Sequence, residues 1–154
     1  MDANNIGRAA SVFGLIPMAH VADVERSIVF YEHLGFSVLN RLEHGGITRW
    51  ASLRSANAWI MFARADGPIA PEQQAMLLYL YSNDVAALRS RLLGRGLHDG
   101  GKYCGQAGPN DGRCVVFDIS KPHYMPEGEI RVSDPDGYCL LIGQCTGPRG
   151  FAAT

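Results

Sequence analysis

The stretch Leu15-Ile-Pro-Met-Ala-His-Val21 decides the fold, because a matching stretch, Met76-Leu-Leu-Tyr-Leu-Tyr-Ser82, follows 61 residues later. Each stretch runs into an aspartate and a valine, Asp23-Val24 and Asp84-Val85, and then into a helix-like segment that ends near a glycine. Each copy therefore predicts an apolar strand, a capped helix and a glycine stop. Repetition at a fixed offset indicates two copies of one unit closed around a shared space.

The composition is that of one domain or two fused small modules. The chain has 154 residues, of which 47% are hydrophobic, and such a chain can bury a normal core. Its net charge is −1 with acids and bases interspersed, so we expect no nucleic-acid partner. We find neither an apolar run long enough for a membrane span nor a signal-peptide pattern, so we expect no membrane partner and a cytoplasmic location. In that compartment the cysteines are most simply reduced thiols: Cys104, Cys114, Cys139 and Cys145.

The first copy predicts a βαβββ module over residues 14–65, preceded by an N-terminal arm at 1–13. Asp23 is a good N-cap because its side chain can accept a backbone N–H, and Gly35 supplies the left-handed position after the helix. Three strands follow the helix and are separated by short turns, with predicted bounds of 36–42, 47–53 and 58–63.

The second copy predicts the same module over residues 75–145, after a linker at 66–74 that proline and glycine keep irregular. Residues 98–112 contain five glycines and a proline, which predicts a long loop. Strands are expected at 114–119, 129–133 and 138–143, with the strong turn sequence Asp134-Pro-Asp-Gly137 between the last two. A C-terminal tail is expected at 146–154.

Two sequence phrases resemble those of the vicinal-oxygen-chelate superfamily. They are Val21-x-Asp-Val-Glu-Arg-Ser-Ile-x-Phe-Tyr-x-x-Leu-Gly-Phe36 and Asp134-Pro-Asp-Gly-Tyr-x-Leu-Leu-Ile-Gly-Gln144. This superfamily includes glyoxalase I, fosfomycin-resistance proteins, extradiol dioxygenases and bleomycin-resistance proteins. The resemblance covers about residues 14–145. It implies an α+β fold of two βαβββ modules whose curved mixed sheets form a cup, usually completed by a symmetric dimer. We therefore expect a homodimer.

The resemblance also implies four cup-facing positions that hold a divalent metal in enzymes of the superfamily. In this chain these positions carry Ile16, Met61, Leu77 and Leu141. Such metals need carboxylate oxygen or imidazole nitrogen, and none of these side chains supplies either. The chain therefore departs from the metalloenzyme pattern and resembles the metal-free, bleomycin-resistance-like branch. We expect neither a metal nor a cofactor.

Strand alternation predicts which side chains line the cup, since residues two apart on a strand share a face. The expected lining is aromatic with a few polar groups, which is typical of a site for an organic ligand. The candidate ligand-binding residues are His20, Trp59, Met61, Tyr79, Tyr81, Glu129 and Arg131.

Structural explanations remain open for these candidates. His20 can be a strand histidine bonded to a backbone carbonyl, and the tyrosines at 79 and 81 can be β-formers that fill the sheet. Trp59 can belong to a dimer contact, where tryptophan is enriched. Glu129 and Arg131 share a face two residues apart and can simply neutralise each other.

Three classes of function are compatible with the sequence. The first is a metal-free protein that sequesters a small, partly aromatic molecule such as an antibiotic. The second is an enzyme of the same superfamily, of lyase, isomerase or dioxygenase type, with a relocated metal held by residues such as His20 and Glu129, or with acid–base chemistry alone. The third is a protein interaction module with a filled cup. The sequence is compatible with either a catalytic or a non-catalytic protein.

Overall fold

The structure of the chain is a computed structural model that describes residues 10, 12, 14–106 and 113–146. Most of the predicted N-terminal arm, most of the predicted C-terminal tail and part of the predicted 98–112 loop lie outside these residues. The described residues form two modules, each a curved mixed sheet with one helix packed on one face. This confirms the predicted α+β fold.

Module one contains one helix and four strands in the predicted order. The elements are β1 (Met18–Val21), α1 (Val24–His33), β2 (Ser37–His44), β3 (Ile47–Ser55) and β4 (Ala58–Arg64). The sheet order is β1-β4-β3-β2, with β1 parallel to β4 and the other pairs antiparallel. The first strand is shorter than predicted.

Module two repeats this arrangement and adds one strand. Its elements are β5 (Leu77–Ser82), α2 (Val85–Gly94), β6 (His98–Gly101), β7 (Val115–Phe117), β8 (Glu129–Ser133) and β9 (Cys139–Gln144). The sheet order is β5-β9-β8-β7-β6, with β5 parallel to β9. The linker contains a single helical turn at Pro71–Gln73.

Both helices begin and end as the sequence predicts. The Asp23 side chain accepts a 3.2 Å bond from the Arg26 N–H, and the Asp84 side chain accepts a 2.8 Å bond from the Ala87 N–H. Each bond satisfies one of the orphan donors at a helix N-terminus. Gly35 and Gly96 follow the helices with φ angles of 95° and 96°, in the region that glycine adopts without strain.

The core lies between each helix and its own sheet. In module one, Val21, Tyr31 and Phe62 are fully buried, and in module two Leu92 and Leu140 are. Burial of such a side chain contributes about 1.5–3 kcal/mol, so these contacts hold each helix on its sheet. The opposite face of each sheet carries no helix, and this open face is where the predicted cup residues lie.

The prediction of an unbroken loop at 98–112 is wrong at its start. Residues His98–Gly101 form β6, which pairs in parallel with β7. Gly100 makes this pairing possible, because a Cβ atom there would lie 2.6 Å from the Phe117 ring and 2.8 Å from Val115. Gly100, which suggests a loop in the sequence, therefore permits the close approach of two strands.

The two modules are joined by the Asp134–Gly137 turn, which lies against the start of α1. The buried carboxylate of Asp136 accepts a 2.9 Å bond from the Ala22 N–H and contacts the Arg26 guanidinium at 3.4 Å. The equally buried Asp134 accepts a 3.0 Å bond from the Tyr31 hydroxyl. An acidic group at a helix N-terminus is favoured by the helix dipole, so this contact fixes module two against module one.

Candidate functional site

The open face of module one carries three of the predicted ligand-binding residues. His20 lies on β1, and Trp59 and Met61 lie on β4, while their strand neighbours Ala19, Ile60 and Phe62 are buried against α1. Trp59 is 40% exposed, and the Arg54 guanidinium stacks over its ring at 4.9 Å. The Arg54 guanidinium therefore helps to hold the indole in place while part of the ring stays accessible.

His20 contributes to the structure through its backbone. Its carbonyl oxygen accepts a 2.9 Å hydrogen bond from the Tyr138 hydroxyl, which adds to the junction between modules. Its imidazole is exposed on the open face. The predicted possibility that the ring bonds a backbone carbonyl stays a prediction.

Strand register shows which positions of the two modules are equivalent. Met61 pairs with Met18 across β1 and β4, and Leu141 pairs with Tyr79 across β5 and β9. Because Met18 and Tyr79 differ by the 61-residue repeat offset, Met61 and Leu141 occupy equivalent places. Both lie on open faces and both are apolar.

Leu77 and Ile16 complete the set of four positions that the resemblance implies for a metal. Leu77 is on the open face of β5 and 58% exposed, and Ile16 lies just before β1 and is 39% exposed. Among the residues that the structure describes, no group of three or more His, Cys, Asp or Glu side chains is close enough to hold a metal ion.

The open face of module two is built around a buried carboxylate. Glu129 on β8 is only 5% exposed. Its Oε2 accepts a 2.6 Å bond from the Tyr79 hydroxyl, and its Oε1 accepts a 3.2 Å bond from the Tyr124 hydroxyl. Glu129 is therefore not the open polar group that alternation suggested, but an acceptor covered by two phenols.

Gly143 on β9 leaves room for the Tyr79 side chain to extend over that strand and reach the Glu129 carboxylate. Gly143 pairs with Glu129 and with Tyr81 on the neighbouring strands. A Cβ atom at Gly143 would lie 2.6 Å from the Met125 methyl group and 3.0 Å from the Tyr79 hydroxyl oxygen. Burial and the bond to Glu129 raise the pKa of Tyr79, so its phenol remains a protonated donor.

Two tyrosine rings give this face its aromatic surface. Tyr79 and Tyr81 are 41% and 39% exposed, and their ring centroids are 5.3 Å apart with a tilt of 58°. A planar group can stack against such rings because each has an accessible π-face. The prediction that these tyrosines only fill the sheet does not account for this exposure.

Arg131 lies on the same face, and its contacts differ from those that the sequence suggested. The guanidinium stacks 3.9 Å over the Tyr103 ring and donates a 3.3 Å bond to the Cys139 sulfur. Glu129 and Arg131 form no ion pair within 4.0 Å. The two residues therefore form no direct ion pair, and mutual neutralisation of their charges at a longer distance stays a prediction.

A groove of about 980 Å³ brings residues of the two modules together. Trp59 of module one and the tyrosines Tyr79 and Tyr81 of module two line it. The rest of the lining comes largely from the helices and from the helix-packed faces of the sheets, as with Leu34, Leu80 and Leu88, so the groove is distinct from the open faces. Three predicted ligand-binding residues thus share one space. The other four are absent from its lining: His20, Met61, Glu129 and Arg131.

Three further residues shape the site and are not among the candidate ligand-binding residues. Tyr124 and Met125 lie on the irregular segment between β7 and β8, and Tyr103 lies in the predicted loop. Residues in irregular segments have no periodicity that assigns them to a face. Their aromatic and sulfur-containing side chains were the only available signal.

The described residues contain no helix that is long and apolar enough to span a membrane. Of the described cysteines, all four are free thiols. Burial raises the pKa of the Cys139 thiol on the open face and raises that of Cys114 to about 12, so both are neutral near pH 7.

Comparison with known structures places this architecture among proteins with related folds. The bleomycin resistance determinant encoded on transposon Tn5 has a TM-score of 0.64 at 19% identity, covering 86% of this chain and 98% of its own. A bleomycin-binding protein complexed with bleomycin has a TM-score of 0.64 at 18% identity, covering 88% and 100%. TnmS3, an antibiotic-binding protein from Streptomyces sp. CB03234, has a TM-score of 0.51 at 24% identity, covering 89% and 100%.

At these identities the likeness concerns the fold, and function has to be argued from the site. No curated protein is similar enough in sequence to be matched to this chain. A family match covers residues 17–142, which include both modules and their junction. The chain belongs to the Glyoxalase/Bleomycin resistance protein/Dioxygenase superfamily.

Proposed function

We propose that the protein binds a small, partly aromatic organic molecule in a metal-free cup and holds it without transforming it, as in sequestration or antibiotic resistance. The observation that carries this proposal is the apolar character of all four positions that the resemblance implies for a metal. Ile16, Met61, Leu77 and Leu141 offer no oxygen or nitrogen donor.

Three aromatic residues that lie on the open faces and also line the groove support an organic ligand. Trp59, Tyr79 and Tyr81 are each about 40% exposed and border one groove between the modules. Sites for small organic molecules are concave and mostly apolar, with a few placed polar groups. The volume of about 980 Å³ is sufficient for a molecule of antibiotic size.

The fold relatives favour the same class of function. One of them is described as complexed with bleomycin and another as an antibiotic-binding protein. Bleomycin itself is a poor candidate for this chain, because it is cationic and a net charge of −1 provides little attraction. We infer a different, planar ligand and a cytoplasmic protein.

We further propose that the protein is a homodimer. Met18 and Leu77 are each 58% exposed on the open faces of the two sheets. Exposed apolar patches of this kind mark interaction or ligand sites. Pairing of two chains through these faces would close each cup, and analytical ultracentrifugation tests this by distinguishing a species of about twice the 16.7 kDa chain mass from a monomer.

The proposed binding function is tested by thermal unfolding of the protein with anthraquinone-2-carboxamide, a neutral planar probe. Binding to the folded state raises the melting temperature by mass action, so a concentration-dependent rise is expected. Zn²⁺, Mn²⁺ or Ni²⁺ without the probe should leave the melting temperature unchanged. A rise with a metal alone would contradict the metal-free site.

Two variants locate the binding. Trp59→Ala and Tyr81→Ala should each weaken binding of the probe about tenfold, since each removes a stacking surface that contributes about 1 kcal/mol or more. Leu39→Ala is the matched control, because Leu39 is exposed on β2 and does not line the groove. Equal effects of all three substitutions would contradict a site in the groove.

A further inference from the structure

Arg131 is a cation on an open face without an acidic partner among the described residues. No described Asp or Glu oxygen lies within 4.0 Å of its guanidinium. Tyr103 covers one face of the guanidinium at 3.9 Å. Stacking of this kind holds the group in place and leaves N–H donors at its edge for another acceptor.

The neighbouring acidic residue, Glu129, forms its hydrogen bonds with residues other than Arg131. Both oxygens of Glu129 accept hydrogen bonds from phenols, those of Tyr79 and Tyr124. Cys139 accepts a bond from Arg131, but burial raises the pKa of its thiol, so the sulfur carries no negative charge near pH 7. The positive charge of Arg131 is therefore not compensated by direct contact within the described part of the face.

The spacing of the strands that carry Arg131 and Tyr79 suits one rigid molecule. Leu141 pairs with Tyr79 on one side and with Arg131 on the other, so these three residues form one row across three strands. Adjacent strands are about 4.8 Å apart, which puts the backbones of Tyr79 and Arg131 about 10 Å apart. The floor between them is the apolar side chain of Leu141.

We infer that the ligand of this cup is a planar aromatic anion, such as an aromatic carboxylate, whose charged group binds Arg131 and whose ring lies against Tyr79 and Tyr81. This inference rests on the proposed binding function and narrows it to one chemical class. Arginine binds a carboxylate through two parallel N–H donors, so the charged end of the ligand is also oriented.

Three probes with the same ring system and different charges distinguish this inference from the proposed function. They are anthraquinone-2-carboxylate, anthraquinone-2-carboxamide and 2-(aminomethyl)anthraquinone, which are anionic, neutral and cationic, and their binding is measured by isothermal titration calorimetry. The carboxylate should bind about tenfold or more tightly than the other two, because a charge-assisted hydrogen bond is worth about 1.5–3 kcal/mol. Equal binding of all three overturns the inference and leaves the binding function standing, whereas binding of none overturns both.

Variants test whether Arg131 is the source of the preference. Arg131→Gln should abolish the preference for the carboxylate, and Arg131→Lys, which keeps the charge, should retain part of it. Arg41→Gln is the matched control, since Arg41 is an exposed arginine of module one that pairs with Glu25 and does not line the groove. Circular dichroism confirms that each variant is folded. A preference that survives Arg131→Gln, or one that Arg41→Gln also removes, overturns the inference.

Discussion

The hydroxyl group of Tyr31 on α1 donates a 3.0 Å hydrogen bond to Oδ2 of Asp134, which lies 103 residues later in the turn of module two. Both residues are buried, and Oδ1 of Asp134 accepts bonds from the backbone N–H groups of Asp136 and Tyr138. One carboxyl group thus fixes the turn and joins the modules. The strength of that junction should depend on pH.

Burial raises the pKa of Asp134 from its usual value of 3.8 to about 7, against the opposing effect of its backbone hydrogen bonds. Between these two values the folded protein binds more protons at this site than the unfolded chain does. Proton binding at Asp134 therefore stabilises the folded state. This stabilisation is complete below about pH 4 and is lost as the pH rises through about 7. Asp134→Asn mimics the protonated carboxyl group and should remove this pH dependence of the free energy of unfolding. Urea unfolding at several pH values measures it. The same pH dependence in both proteins would contradict the assignment.

Gly137 should be intolerant of a side chain. Its φ angle is 80°, and a Cβ atom would lie 2.3 Å from the Pro71 Cβ, where the linker crosses the turn. Gly137→Ala should lower the free energy of unfolding by about 2–4 kcal/mol, because backbone strain and a steric clash add. Gly45→Ala is the control, since Gly45 has a φ angle of 62° with open space around it. Equal losses would show that the clash with Pro71 has no effect.

Gly143 and Tyr79 should be energetically coupled. Gly143→Ala places a methyl group 3.0 Å from the Tyr79 hydroxyl and should displace it from Glu129. Tyr79→Phe removes the same bond and should cost about 1–3 kcal/mol, because a buried acceptor loses a partner. In a double-mutant cycle of chemical denaturation, the combined loss should be smaller than the sum of the two. Additive losses would mean that the Tyr79–Glu129 hydrogen bond does not depend on the absence of a side chain at Gly143.

The sequence predicted the parts of this fold that local chemistry determines. Asp23 and Asp84 cap helices and Gly35 and Gly96 follow them, as predicted, because capping depends on residues within one turn. Met61 and Leu141, two of the four positions that the resemblance implies, occupy equivalent places in the observed strand register because the unit is repeated.

Interactions between distant segments were less predictable. Strand alternation predicted that Glu129 and Arg131 share a face. It did not predict their contacts, since Tyr124 and Tyr103 reach them from irregular segments. Strand β6 was missed because Gly100 weakens the strand signal while permitting a close approach to Phe117. Tertiary contacts of this kind override local preference.

The central claim is that the cup holds an aromatic molecule without a metal and leaves it unchanged. The most direct test is calorimetric titration of chelator-treated protein with anthraquinone-2-carboxylate, followed by mass spectrometry of the recovered probe. We predict saturable binding that is equal with and without added Zn²⁺ or Mn²⁺, and a probe of unaltered mass. Binding that requires the metal ion, or a probe of altered mass after incubation, would contradict the account.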